Sequence, residues 1–273
     1  MTAPLFVVDA FASKPFTGNP AAVCLLDAPA DGAWMQRVAA EMNLAETAFV
    51  RSLDDGSLGD AWELRWFTPT TEVELCGHAT LASAHVLWET GRLGVAAPAR
   101  FETRFRGTLT ASRAPDGRGI ELDFPSDPPE PAPLPDGMAA ALGVAPVNTA
   151  RAQMGVLLEV ESPDAVRAVE PDFARLAALE SVAVTSAAAT ADGHDFVSRY
   201  FAPRYGIDED PVTGAAHCAL APYWAERLER DQMRGYQASA RGGTVAVHLR
   251  GDRVVLGGSA ITVARGELVV RIV

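Results

Sequence analysis

The chain has 273 residues, 48% hydrophobic and 21% charged, with a formal net charge of −12 and a pI near 4.8. That length holds one large domain or two smaller ones, each with a real core. The acidic balance and the lack of a basic run argue against nucleic acid as partner, and no apolar run approaches the roughly 20 residues of a membrane span.

"PLFVVDAF" at the start reads as a strand and "SKPFTGNP" as a Gly/Pro/Asn loop. Nothing there resembles a charged segment followed by a long apolar stretch, so no signal peptide is expected. Asp31 is placed to cap a helix running to Asn43, with Trp34, Val38 and Met42 on one stripe. "ETAFVRSL" and "AWELRWFTP" alternate like paired strands. Gly77 to Glu89, rich in Ala and Leu and followed by Gly91, reads as a buried helix. "ARFETRFRGTLTASRA" and "RGIELDFP" alternate with period two. "SDPPEPAPLP", with five prolines, is expected to be an irregular connection between halves. Beyond it, "PDGMAAALGV" and "PDFARLAAL" read as short helices. "GVLLEVES", "SVAVTSAA" and "DFVSRYFAP" read as strands. Gly214 to Glu229 reads as a second small-residue helix, and the tail as strands and turns.

A repeat organises this order. "RWFTP" and "RYFAP" both spell Arg-aromatic-Phe-x-Pro, and Phe67 and Phe201 stand 134 residues apart. Gly77 and Gly214 stand 137 apart, and with them aligned Ala79, Ala82 and Ala84 match Ala216, Ala219 and Ala221. Each half therefore carries a strand, a loop, then an Ala-rich helix opening on glycine. The expected halves are residues 1–115, joined by a tail strand near 264–273, and 116–263.

A helix leaves its first N–H groups unpaired and partly positive. Two such starts facing one another across a cleft would trap a carboxylate without any basic side chain. They would also stabilise charge that develops during proton removal beside it. Cys76 and His78 flank the first start; Asp210 and His217 flank the second. Glu46, in "NLAETAFV", is a carboxylate among apolar residues, a setting that raises a carboxyl pKa toward the neutral range useful to a general acid or base.

The three cysteines include no C-x-x-C pair, which excludes a zinc ribbon and suits reduced thiols in a cytoplasmic protein. Lys14 is the only lysine, and neither G-x-G-x-x-G nor a P-loop appears. No cofactor and no metal are expected.

"VDAFASKPFTGNPAAV", "NLAETAFV", "FTPTTEVELCGHATLA" and "DEDPVTGAAH" together resemble the PhzF-like family of phenazine-biosynthesis isomerases, of the diaminopimelate-epimerase fold that proline racemases share. The resemblance implies an α+β protein of two pseudo-symmetric domains, each a curved mixed sheet wrapped around a central helix, with the site between them. It implies cofactor-free proton transfer by Glu46, partnered by His78 and Asp210. It places Asn19, Cys76, Gly77, Thr213, Gly214 and Ala215 around a small carboxylate substrate, and it implies a homodimer. Ala215 departs from the serine of the phenazine enzyme, so one hydroxyl is missing. Cys76 falls where racemases of this fold keep one catalytic thiol; Thr213 falls where they keep the second. A racemase or dehydratase using Cys76, and a non-catalytic small-anion binding protein, are the alternatives to the isomerase.

Overall fold

The computed structural model describes residues 2–53, 61–115, 117, 119–188 and 193–270. The chain divides into two compact units: Met1–Asp123 with Gly257–Val273, and Phe124–Leu256.

The first unit runs β1 (Ala3–Ala10), β2 (Asn19–Leu26), α1 (Gly32–Met42), β3 (Glu46–Ser52), β4 (Ala61–Phe67), β5 (Glu72–Val73), α2 (Gly77–Glu89), β6 (Ala99–Thr103), β7 (Gly107–Arg113) and β8 (Ile120–Pro125). Successive pairings are β1–β2 antiparallel, β2–β3 parallel, β3–β4 antiparallel, β4–β6 parallel and β6–β7 antiparallel. β5 adds to the end of β4. The two parallel steps need crossovers, which α1 and α2 supply.

The second unit runs β9 (Glu130–Pro131), α3 (Met138–Leu142), β10 (Asn148–Ala152), β11 (Gly155–Glu159), α4 (Pro163–Arg167), α5 (Phe173–Leu176), β12 (Val182–Ala187), β13 (Phe196–Ala202), β14 (Ile207–Asp210), α6 (Gly214–Leu228), β15 (Gln232–Gln237), β16 (Gly243–Arg250) and β17 (Arg253–Gly258). From β10–β11 to β15–β16 its pairings repeat the sequence antiparallel, parallel, antiparallel, parallel, antiparallel, with β14 added to β13 as β5 is to β4. The chain then returns through β18 (Ala260–Leu268) to pair with β1 in the first unit.

The structure moves several expected boundaries. Residues 120–122 pair with β7, so the first unit extends past residue 115. The returning strand pairs with β1 from Ala260, ahead of residue 264. The proline segment is not wholly irregular, because Glu130 and Pro131 bridge to Arg151 and Ala150. Arg118 and residues 271–273 of the expected strands lie outside the described residues.

α2 is buried over nearly its whole circumference, which its small residues permit by letting strands approach closely. Its buried hydroxyls are satisfied locally: Thr80 donates to the Cys76 carbonyl at 2.6 Å and Ser83 to Ala79 at 2.7 Å. α6 carries Pro222 inside, which cannot donate to the Cys218 carbonyl. The Asp127 N–H takes that carbonyl instead, at 3.1 Å.

The repeated phrase proves to be a pin. Arg65 forks onto Glu72 of β5 at 2.7 and 2.9 Å and lies over the Phe67 ring, 5.2 Å from its centroid. Arg199 forks onto Glu209 of β14 at 2.7 and 2.9 Å and lies over Phe201 at 4.9 Å. Both phenylalanines are core residues, 3% and 0% exposed. In each unit a bidentate charged pair backed by a ring fixes the short strand that leads toward the buried helix.

Candidate active site

The first group of site residues lies in the first unit. Between β1 and β2, Phe11, Phe16 and Gly18 adopt left-handed backbone. The buried Asp9 carboxylate accepts the Phe16 N–H at 2.7 Å. A side chain on Gly18 would sit 2.1 Å from the Ala10 carbonyl oxygen, so only glycine fits there. This tight loop delivers Asn19 fully buried at the head of β2. Because β2 runs parallel to β3, Ala21 pairs with Glu46 and brings that carboxylate alongside.

The start of α2 adds the rest. Cys76 stands just ahead of the helix, Gly77 opens it and His78 comes next. The Asn19 amide nitrogen lies 3.1 Å from His78 Nδ1. An amide nitrogen only donates, so Nδ1 accepts and the ring proton sits on Nε2. Nε2 lies 3.2 Å from Glu46 Oε2. The Cys76 sulfur lies 3.5 Å from Nδ1 and 3.9 Å from Nε2. Burial pushes His78 down to about 3, so the ring that stands beside Glu46 is neutral at pH 7. The Glu46 side chain keeps 12% exposure and His78 4%, with Glu46 Oε2 itself buried.

The second group lies in the second unit. Thr213 stands ahead of α6, Gly214 opens it and Ala215 comes next. The Thr213 hydroxyl donates to Asp210 Oδ2 at 2.6 Å. Gln237, at the end of β15 and fully buried, accepts the Thr213 N–H through Oε1 at 2.8 Å. Its amide nitrogen reaches the Asp210 carbonyl at 2.6 Å and the Thr213 hydroxyl at 3.1 Å. The Thr213 hydroxyl is thereby oriented from both sides. His217 is fully buried one turn on, with Nδ1 donating to the Thr213 carbonyl at 2.8 Å and burial pushing it down to about 4.

The structure thus assembles Asn19, Glu46, Cys76, Gly77 and His78 as one group, and Asp210, Thr213, Gly214 and Ala215 as another. Helix geometry provides no intrahelical acceptor for the N–H groups of Gly77, His78, Gly214 and Ala215. Asp9 and Gln237 escape a reading of the sequence. Asp9 sits in an apolar strand that looks like core, and Gln237 in "RGYQAS" carries no local signal of its partners.

A solved structure described as a probable proline racemase from Agrobacterium radiobacter aligns with TM-score 0.65 over 98% of this chain and 93% of that one, at 12% identity. Identity that low speaks for the fold alone. Together with the duplicated sheet-and-helix units, it defines the α+β diaminopimelate-epimerase class. Residues 8–266 match the model of the family described as phenazine biosynthesis-like protein. A PhzF-family crystal structure from Enterococcus faecalis aligns with TM-score 0.90 at 38% identity, over 99% of this chain and 100% of that one. A protein of Halalkalibacterium halodurans named as an uncharacterized isomerase is 48% identical over 271 residues, 98% of this chain and 99% of that protein. The chain belongs to the phenazine biosynthesis-like family, and it is an enzyme of the isomerase class.

Proposed function

We propose that this isomerase moves a proton on a small carboxylic acid, without metal or organic cofactor, using Glu46 as the main acid/base. The observation that carries this reading is the 3.2 Å approach of Glu46 Oε2 to Nε2 of a neutral His78, whose other ring nitrogen lies 3.1 Å from the Asn19 amide. A neutral imidazole beside the carboxylate leaves it ionised as a base without fixing it in a charged pair, so it can pass on the proton it takes. Asp210, oriented by Thr213 and Gln237, is the second acid/base group. The first-turn N–H groups of α2, beside Glu46 and His78, hold the substrate carboxylate and stabilise the charge that develops beside it. Cofactor independence rests on the sequence: Lys14, the only lysine, is exposed, and no nucleotide-binding glycine pattern appears.

A thiol-based racemase or dehydratase is the second reading, favoured by the Cys76 sulfur 3.5 Å from His78 Nδ1. Against it, the Thr213 hydroxyl at the second thiol's place already donates to Asp210.

The test is a panel of small amino, hydroxy and unsaturated acids incubated with chelator-treated protein in heavy water. Isomerisation of one acid with deuterium gained at carbon is expected. Tight binding of an acid without any exchange would make this a binding protein, and exchange that needs added metal would remove the cofactor-free part.

A further inference from the structure

Glu46, Cys76 and His78 offer a carboxylate oxygen, a thiol sulfur and an imidazole nitrogen all within 4.8 Å of one another. Among the described residues, no other group of three such donors converges this closely. Tetrahedral zinc, with bonds of about 2.0 to 2.3 Å, sets its ligand atoms about 3.3 to 3.6 Å apart. Here Nε2 stands 3.2 Å from Oε2 and 3.9 Å from Sγ, each within a few tenths of an ångström of that spacing, and all three atoms lie within 4.8 Å of one another. We propose that this cluster is a capture site for a thiophilic divalent cation of the zinc class, bound through Glu46 Oε2, Cys76 Sγ and His78 Nε2.

Three further features fit. Histidine ligands are oriented by a partner on the second ring nitrogen, and Asn19 occupies that place at 3.1 Å. Cys76 and His78 are 6% and 3% exposed, so little water competes for two of the three ligand atoms. The other thiols do not compete: burial pushes both Cys24 and Cys218 up to about 12. On binding, the Cys76 thiol proton leaves to solvent. The ring proton moves from Nε2 to Nδ1, where the Asn19 amide turns to accept it through Oδ1. Carboxylate and thiolate then balance the cation's two charges.

Capture rests on the three ligands alone. Its consequence, that the metal inhibits by occupying Glu46, rests on the isomerase reading above.

The experiment uses chelator-stripped full-length protein titrated with Co²⁺, then Zn²⁺. One equivalent of Co²⁺ should produce a thiolate-to-cobalt charge-transfer band in the near ultraviolet, and one equivalent of Zn²⁺ should abolish it. Cys76→Ser should lose the band. Glu46→Gln and Asn19→Ala, folded by circular dichroism, should keep it but bind at least ~10-fold more weakly. No band in the wild type, a band that survives in Cys76→Ser, or unchanged affinity in Glu46→Gln overturns the proposal. Deuterium exchange measured on the same samples separates the two readings. Metal capture by a protein that exchanges no acid supports the site and sinks the isomerase. Exchange by a protein that captures no metal does the reverse.

Discussion

In the first unit the chain enters its buried helix through Cys76, Gly77 and His78; in the second it enters through Thr213, Gly214 and Ala215. The approach is the same: an arginine pinned on a glutamate over a phenylalanine, a two- or four-residue strand, then glycine. Past the glycine the two units part. His78 turns inward, 3% exposed, and faces a carboxylate. Ala215 lies exposed, and the polar chemistry there comes instead from Asp210 and Gln237 on neighbouring strands. The matching elements present a helix start in each unit, while the polar groups around that start differ. An enzyme that must take a proton at one place and return it at another needs two unlike groups, and unlike surroundings are how two groups acquire different proton affinities.

Acid should produce the largest stability change and shows what the two units still share. Each helix carries a buried histidine near its start, at about 3 for His78 and about 4 for His217. An unfolded chain protonates histidine near pH 6.5. Below that pH the unfolded state binds protons that the folded state does not, so stability present above pH 6.5 is lost as pH falls toward the folded values. His217 alone contributes roughly 3 kcal/mol to that loss by pH 4. Urea unfolding at pH 8 and pH 4.5 should show His217→Gln losing much less stability than the wild type. Equal losses would mean that this histidine is protonated in the folded protein.

The pins come next. Arg65→Ala and Arg199→Ala each leave a largely buried glutamate without its fork, at a cost of about 2 kcal/mol. Glu72 keeps Arg104 at 3.2 Å, while Arg199→Ala also removes the 2.6 Å donor to the Val169 carbonyl, so the Arg199 loss should be the larger of the two. A pin that costs nothing in one unit would show that the duplication is retained there without need. The smallest effect belongs to Ala215→Ser. The site is exposed, so stability should change by no more than about 0.5 kcal/mol. Any change should appear in which acids the enzyme accepts, and an unchanged panel would mean that the missing hydroxyl does not face substrate.

The repeat is legible without the structure because glycine, proline and aromatic residues recur at fixed offsets, and those residues govern backbone and core. The pins are not, because Glu72 stands seven residues after Arg65 while Glu209 stands ten after Arg199. The partner is set by pairing of the short strand, not by spacing. Strand β14, "IDED", has no strand character of its own and is held by β13 and the Arg199 fork. Strand β15, "QMRGYQ", is polar and equally silent, and it carries Gln237. Glu46, Cys76 and His78 are readable as motif residues. Their meeting needs both the parallel register of β2 with β3 and the packing of α2 on those strands, which no local pattern announces.

The central claim is that Glu46, and not Cys76, removes the substrate proton. It is tested most directly by deuterium wash-in on the acid the enzyme isomerises, comparing Glu46→Gln with Cys76→Ala in chelator. Glutamine keeps the volume of Glu46 but cannot accept the proton, so exchange should fall at least ~100-fold. Cys76→Ala should retain most of the wild-type rate. Exchange abolished in Cys76→Ala and retained in Glu46→Gln would contradict the account and assign the chemistry to the thiol.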